Sequence, residues 1–462
     1  MSETAYQKCI HADCGETFDI GQPLFGCPKC GNLLDVAYDW DKVSVPKSLD
    51  TFNRRWTTPG RSVEARADFS GVWRFRELLP FATVEEIATI GEGRTILQQA
   101  DQIAKQIGMK SGRLFLQYEG FNPTGSFKDN GMTAAFTIAR KLDRSRVACA
   151  STGNTSAAMS VYAAHSGDSG KPMQAIVFVG EGKIAFGKLA QALDYGALTL
   201  QIAGDFDACM KRAVECAQKL DVYLMNSLNP FRLEGQKTIM FRILEGLDWQ
   251  VPDWIIVPGG NLGNSSAFGK AFMELHALGL IPHIPRIAII NAAGASTLDD
   301  AWNNRKMRWN DGKFDSQGIC EYFDELDAAH KKAKTVASAI EIGRPVNLAK
   351  GLRTLDVMNG IVRTVTDDEI LACKAMVGRY GYGCEPASAA SLAGLIHLRE
   401  EGMIGPDDKV ACVLTGHALK DPDATVNYHM KGSDQGIGSP PNQPVQVADD
   451  FEAIKAAIAA TA

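Results

Sequence analysis

The 462-residue chain reads as an α/β protein built on a mostly parallel sheet. Two patterns predict this. From Gly91 onward, short apolar runs alternate with helix-like stretches, the order that parallel strands and their crossovers require. Loops rich in Gly, Ser, Thr and Asn follow several of those runs, and in such sheets ligands sit at the carboxyl ends of the strands. A hydrophobic share of 45% is enough for a large core and excludes a chain disordered throughout.

Taken in order, the first thirty residues hold Cys9, Cys14, Cys27 and Cys30 in the spacing C-x4-C-x12-C-x2-C. Four thiolates so placed can surround one zinc ion tetrahedrally, leaving no open position for water. That predicts a structural zinc-ribbon-like segment over 1–40, stabilised by metal because it is too short and polar to fold on a core of its own. His11 lies between the first two cysteines, so a site that includes it, a lost site and a redox pair are the alternatives. The other seven cysteines are scattered, mostly in apolar stretches, and read as reduced core residues. Residues 41–90 carry Pro46, Pro59 and Pro80 and predict an arm with a short helix.

The runs RLFLQYE, VACAS, QAIVFVG, LTLQIAG, WIIVPGG, RIAIINA and VACVLTG then predict strands. GMTAAFTIARKL, TSAAMSVYAAHS, KIAFGKLAQALDYG and FDACMKRAVECAQKL predict the helices between them. Residues 91–430 form the predicted catalytic unit, with a small lobe over about 128–225 and a large lobe from the remainder. KGSDQGIGSPPNQPVQ reads as a linker, and DDFEAIKAAIAATA as a short terminal helix, so 431–462 is a tail.

Four loops carry chemistry. In Asn122-Pro-Thr-Gly-Ser-Phe-Lys128-Asp129 a strand leads through a turn to a lysine at a helix start. The helix N-terminus depresses an amine's pKa, and such a lysine can form a Schiff base; a generic turn lysine would simply be solvated. Ser151-Thr-Gly-Asn154-Thr155-Ser reads as an anion site with a side-chain donor, or as an ordinary N-cap run. Pro258-Gly-Gly260-Asn261-Leu262-Gly263-Asn264-Ser265 can converge successive N–H groups on one phosphate monoester, or be a plain glycine turn. Its spacing is wrong for a dinucleotide fingerprint. Thr415-Gly-His417 places a hydroxyl at a strand end, able to meet a heteroaromatic nitrogen; His417 itself reads as structural. One lysine in a turn that can also present N–H groups to an anion, two further anion loops and a strand-end hydroxyl together suggest pyridoxal 5'-phosphate. Lys128 would hold its aldehyde, Asn154 its ring oxygen, Gly260 to Asn264 its phosphate and Thr415 its ring nitrogen.

On GEGRT, NPTGSFKDNGM, CASTGNTSAA, GKLAQAL, NSLNPFRLEGQKT, VPGGNLGN, ASAIEIGRPVN, CEPASAAS and TGHALKD, the chain from about Gly91 to Pro422 resembles the threonine synthases. These are pyridoxal-phosphate enzymes of fold type II, tryptophan synthase β-like, with two lobes. The resemblance implies a lyase of threonine biosynthesis that turns O-phospho-L-homoserine and water into L-threonine and phosphate by γ-elimination and β-hydration. It implies that Lys128 carries the Schiff base and moves the protons. For the substrate, Arg232 and Lys188 are the cationic candidates, with Ser151, Thr155 and Asn226 as donors. With no acidic residue near it in sequence, Thr415 is expected to leave the ring nitrogen unprotonated. Two positions depart from the family pattern: Asn130 stands where Arg is frequent, and Ile96 where Pro is usual.

Rival readings are a cysteate synthase, a serine/threonine dehydratase, or a non-catalytic protein that uses the cysteine segment to bind a partner. The formal charge of −6 argues against nucleic acid as a partner, and no run approaches the ~18 apolar residues that span a bilayer. MSETAYQKCI lacks a secretory pattern, which predicts a cytoplasmic protein. A homodimer is the family expectation.

Overall fold

The computed structural model describes residues 4–180, 186–203, 206–431 and 441–460. Its strands, in chain order, are β1 (Ala5–Cys9), β2 (Thr17–Asp19), β3 (Leu34–Tyr38), β4 (Ile96–Gln99), β5 (Leu114–Tyr118), β6 (Arg146–Ala150), β7 (Gln174–Gly180), β8 (Leu198–Ile202), β9 (Tyr223–Leu224), β10 (Trp254–Pro258), β11 (Arg286–Ala292), β12 (Ile361–Val365) and β13 (Val410–Leu414). All seven predicted apolar runs are strands. The short β9, the partly exposed edge strand β4, β12 and the three amino-terminal strands lack so continuous an apolar run.

Three sheets result. β2-β1-β3 is a small antiparallel sheet. β8-β7-β6-β9 is wholly parallel. The six-stranded sheet runs β12-β11-β10-β13-β5-β4, parallel except where β4 pairs with β5. The inner strands of the large sheet are buried on both faces, which is why they read as unbroken apolar runs. Along β10, Trp254 and Ile256 join one core cluster while Ile255 and Val257 join another. That is the two-residue alternation of a strand between two helical layers.

The strand order places the site. β10, β13 and β5 are parallel neighbours, so the glycine loop after Pro258, the Thr415 loop after Leu414 and the lysine loop after Tyr118 leave the same edge of one sheet. The Ser151 loop leaves β6 of the other parallel sheet and faces them.

The segment 41–90 is more than an arm. Phe52, Trp73, Phe75 and Phe81 are fully buried and pack into the cores of both parallel sheets. The terminal helix forms over Phe451–Ala459, capped by the Asp450 side chain on the Ala453 N–H at 3.0 Å. Much of the linker, 432–440, falls outside the described residues.

Candidate active site

Lys128 opens the helix Lys128–Lys141. The turn before it is held rigidly. Asp129 accepts from the Thr124 N–H and hydroxyl, both at 2.7 Å. The same turn is zipped to the loop after β13: the Phe127 N–H donates to the Thr415 carbonyl at 2.9 Å, and the His417 N–H to the Gly125 carbonyl at 2.8 Å. The Lys128 amine and the Thr415 hydroxyl are therefore placed by one short two-stranded contact. Burial, then the charge of Arg232, pull the Lys128 ammonium down to about 7, with Lys420 adding to the effect and Glu385 opposing it. A free amine near neutral pH is what a lysine nucleophile needs.

Asn154 opens the helix Asn154–Ser166, and its Nδ2 donates to Glu385 Oε2 at 2.9 Å. Thr415 Oγ1 donates to Glu385 Oε1 at 3.0 Å and lies 2.9 Å from the Ser388 hydroxyl. One carboxylate thus bridges two of the three residues that the sequence assigns to a pyridine ring. This corrects the expectation that Thr415 has no acidic neighbour. Glu385 arrives from the N-cap of the helix Pro386–Glu400, thirty residues earlier, and reaches in because Gly416 has no side chain. A Cβ on Gly416 would stand 2.6 Å from Glu385 Oε1.

The glycine loop ends at Leu262, whose φ of +61° turns the chain into the helix Gly263–Ala277. The first N–H groups of a helix have no intrahelical acceptor, so this turn offers donors to an anion. Ser265 Oγ and Asn264 Oδ1 are buried with no hydrogen-bond partner among the described residues. Asn261 is occupied structurally: its Oδ1 accepts from the Val346 N–H at 2.9 Å. Gly260 is closely packed: a Cβ there would stand 3.0 Å from the Ile340 Cα. The unpartnered Ser265 hydroxyl and the first N–H groups of the helix, in a close-packed glycine turn, fit the phosphate of pyridoxal phosphate, and Lys128, Asn154 and Thr415 fit its ring.

Arg232 is buried on the helix Pro230–Gly246, and no carboxylate pairs with it among the described residues. Its Nη1 donates to the Met225 carbonyl at 2.8 Å, while Nε has no partner. A buried, unpaired guanidinium is costly and fits an anion that comes and goes. Two glycines hold it beside Lys128. A Cβ on Gly235 would stand 1.8 Å from the Asn130 carbonyl oxygen, and one on Gly131 2.9 Å from the Arg232 carbonyl oxygen. The two helices therefore pack backbone against backbone.

The remaining predicted residues are placed as follows. Ser151 caps its own turn, accepting from the Gly153 N–H at 3.2 Å, and Thr155 lies in the next helix's first turn, half-buried. The Asn226 amide is engaged on both sides by Ala150, at 3.0 and 3.1 Å, so it fixes the corner before Ser151. Lys188 lies in the helix Phe186–Asp194, and its side chain is outside the described residues.

Sequence reasoning missed Glu385 and Lys420. A cavity of about 360 Å³ opens over the lysine turn, lined by Asn122 to Gly125, Asn154, Gln191, His417, Leu419 and Lys420. Lys420 Nζ donates to the Thr124 carbonyl at 3.1 Å and to Gln191, and burial lowers its pKa. TGHALKD contained the signal, but nothing in the sequence alone distinguished Lys420 from a surface lysine. His417 Nδ1 accepts from the Leu419 N–H, a capping role. The departures are explained locally. Asn130 is buried between Glu119 and Arg242, donating to the first at 2.7 Å and accepting from the second at 3.1 Å, where an arginine would confront Arg242. Ile96 sits on the edge strand β4, where either Pro or Ile is tolerated.

At the other end of the chain, the sulfurs of Cys9, Cys14, Cys27 and Cys30 lie within 4.8 Å of one another. Cys9 and Cys30 are 3.4 Å apart, and Cys14 and Cys27 3.7 Å. A tetrahedral zinc with ~2.3 Å bonds needs sulfurs about 3.8 Å apart. His11 packs instead against Phe314, ring centroids 5.1 Å apart.

A family model described as pyridoxal-phosphate dependent enzyme matches residues 88–416. The chain is 41% identical over 421 residues to a threonine synthase of Methanocaldococcus jannaschii, covering 91% of this chain and 94% of that protein. It is 37% identical over 433 residues to threonine synthase 2, chloroplastic, of Arabidopsis thaliana, covering 92% of this chain and 78% of that one. Among solved structures it resembles the processed form of threonine deaminase isoform 2 from Solanum lycopersicum, with a TM-score of 0.57, 17% identity, and 84% and 98% of the two chains covered. Maize serine racemase gives a TM-score of 0.54 at 18% identity, covering 80% and 93%. At such identities the structural likeness is one of fold.

Proposed function

The chain belongs to the threonine synthase family of fold type II pyridoxal-phosphate dependent enzymes, and from that premise we propose that it converts O-phospho-L-homoserine and water into L-threonine and phosphate. The observation that carries this reading is the pairing of a depressed lysine amine with a buried arginine that has no carboxylate partner among the described residues. A dehydratase needs the first; a substrate that releases phosphate needs both.

In this reading Lys128 holds the cofactor aldehyde. Asn154 and Thr415 hold the ring, and Gly260, Asn261, Leu262, Gly263 and Asn264 hold the phosphate through the helix N-terminus. When bound, the cofactor supplies the electron sink for carbanion chemistry. Freed by the substrate amine, Lys128 would take the proton at Cα, move one from Cβ to Cγ as phosphate departs from Cγ, and return the Cα proton once water has added at Cβ. Arg232, with Lys188, Ser151 and Thr155, receives the leaving phosphate, Asn226 fixes the corner before Ser151, and Lys420 adds charge at the mouth of the cavity. Among the described residues, Glu385 is the carboxylate that bonds Asn154 and Thr415 and favours the charged form of Lys128. It keeps the lysine partly cationic and holds both ring donors in position.

Cys9, Cys14, Cys27 and Cys30 are assigned a structural zinc ion on the fit of their sulfur separations. The boundaries 1–40, 41–90, 91–430 and 431–462 stand as working domain limits. No helix among the described residues is long and apolar enough to cross a membrane. A cytoplasmic homodimer remains the working assembly.

A phosphate-release assay with O-phospho-L-homoserine, O-phosphoserine and threonine tests the function. Phosphate and threonine in equal amounts from the first substrate are expected, with Lys128→Ala at least about 10⁴-fold slower. Ammonia from threonine as the main product would make the protein a dehydratase. Turnover of phosphoserine alone would point to cysteate synthesis.

A further inference from the structure

We propose that the amino-terminal cysteine ribbon is a positioning element for the active site: its third strand, β3, ties together the helices that carry the two anion seats. The inference rests on the proposed reading of those seats as cofactor phosphate and substrate phosphate.

β3 begins at the metal-fitting cluster, where Leu34 packs against Cys9 and Cys27. The next residue, Asp35, receives two cations of the helix Leu348–Val357. Lys350 Nζ lies 3.0 Å from one carboxylate oxygen, and Arg353 Nη1 bonds the other. Lys350 also donates to the Leu34 carbonyl at 2.7 Å. That helix rests directly on the glycine loop. Its cap, Asn347, donates from backbone and side chain to the Asn261 carbonyl, both at 3.3 Å. A Cβ on Gly351 would stand 2.9 Å from Leu262, and Thr354 donates to the Ser265 carbonyl at 3.0 Å. Asp35 thus fixes the platform under the phosphate turn.

The far end of β3 reaches the other seat. Tyr38 donates to Glu234 Oε2 at 2.5 Å, two residues along the helix from Arg232. Glu234 also pairs with Lys237 at 2.6 Å and with Lys270 at 2.8 Å. Lys270 belongs to the helix Gly263–Ala277, which starts at the glycine loop. A five-residue strand therefore grips the Arg232 helix, the glycine-loop helix and the platform helix.

The main core takes in Ala5, Ile20, Val36 and Tyr38 but leaves out the cysteine cluster. The cluster's own core is Cys9, Cys27 and Leu34, with Cys14, Phe18 and Leu24 beside them. So small a core depends on a metal or an equivalent crosslink. Zinc at the four cysteines keeps β3 straight; without it, Asp35 and Tyr38 lose their register and both seats loosen. Asp35 and Tyr38 are positioning residues, acting through Asn347 and Glu234.

The test titrates pyridoxal phosphate into cofactor-stripped full-length protein by absorbance, and measures kcat and KM for O-phospho-L-homoserine after reconstitution. It compares zinc-loaded wild type, wild type after chelation, Asp35→Asn and Tyr38→Phe, with circular dichroism confirming the fold of each. Asp35→Asn is expected to weaken cofactor affinity about tenfold, and Tyr38→Phe to raise KM about tenfold while changing kcat less. Chelated wild type is expected to show both effects, and zinc to reverse them. A purely structural ribbon would lower the melting temperature while leaving cofactor affinity and KM unmoved, and that result overturns the inference. So does folded, chelated wild type with unchanged cofactor affinity, which decides the matter if either variant fails to fold. If zinc-loaded protein binds the cofactor but releases no phosphate, the proposed reaction fails, while the cofactor affinities of the chelated protein and of Asp35→Asn still decide this inference.

Discussion

Lys128 concentrates the residue-scale argument. Its amine sits near pH 7 because burial disfavours the ammonium and Arg232 repels it. The sign is direct: a lowered lysine pKa leaves the amine free at lower pH. The rate at which stripped protein captures pyridoxal phosphate should therefore rise with a midpoint near pH 7, not near 10.5. Arg232→Leu removes the repelling charge and should move that midpoint up by about one pH unit. Glu385→Gln removes the one opposing anion and should move it down. Stopped-flow capture rates across pH 5 to 10 would measure this (range chosen to bracket ~7), and a midpoint unmoved by both substitutions would refute the electrostatic account. Lys128, Asn154 and Thr415 could be proposed from sequence because each lies in the turn or at the helix start that follows an apolar run. Glu385 and Lys420 could not. Their roles come from partners brought together by the sheet: Asn154 for the first, Gln191 for the second.

At the scale of elements, the decisive contact is the glycine pair that lets the Lys128 and Arg232 helices touch. Sequence marked NPFRLEGQKT by resemblance alone and gave no reason for the glycine that the helix Pro230–Gly246 holds inside it, where it costs ~1 kcal/mol against alanine. The Asn130 carbonyl, 1.8 Å from where a Gly235 Cβ would be, supplies the reason. Gly235→Ala should thus destabilise the protein by on the order of 3 kcal/mol, although alanine favours helix. It should also cut kcat/KM about a hundredfold, by displacing Arg232 relative to Lys128. Melting and steady-state rates check both, and a variant as stable and active as the parent would remove this contact from the account. The same packing clarifies Asn130. A sequence comparison reads it as a lost positive charge, whereas the structure turns it away from the cavity into the Glu119–Arg242 pair.

For the whole molecule, alternating apolar runs disclosed the α/β class and every central strand, since strands buried on both faces announce themselves by composition. What they did not disclose is how strands divide between sheets, because pairing is settled by contacts far apart in sequence. β4, β9 and β12 are short or partly exposed and carry little local signal. The segment 41–90 reads from its prolines as an arm with a short helix, yet Trp73, Phe75 and Phe81 are buried within the core. The cysteine ribbon was visible as a metal-spaced motif, but its grip on three helices depends on Asp35 and Tyr38, ordinary residues until the fold is known. The central claim is that this whole arrangement delivers one lysine to one cofactor aldehyde. Borohydride reduction of the cofactor-loaded protein, followed by peptide mapping with mass spectrometry, tests it most directly. The account predicts a single phosphopyridoxyl group, on the peptide containing Lys128; the group on Lys188 or Lys420, or on no lysine, would contradict it.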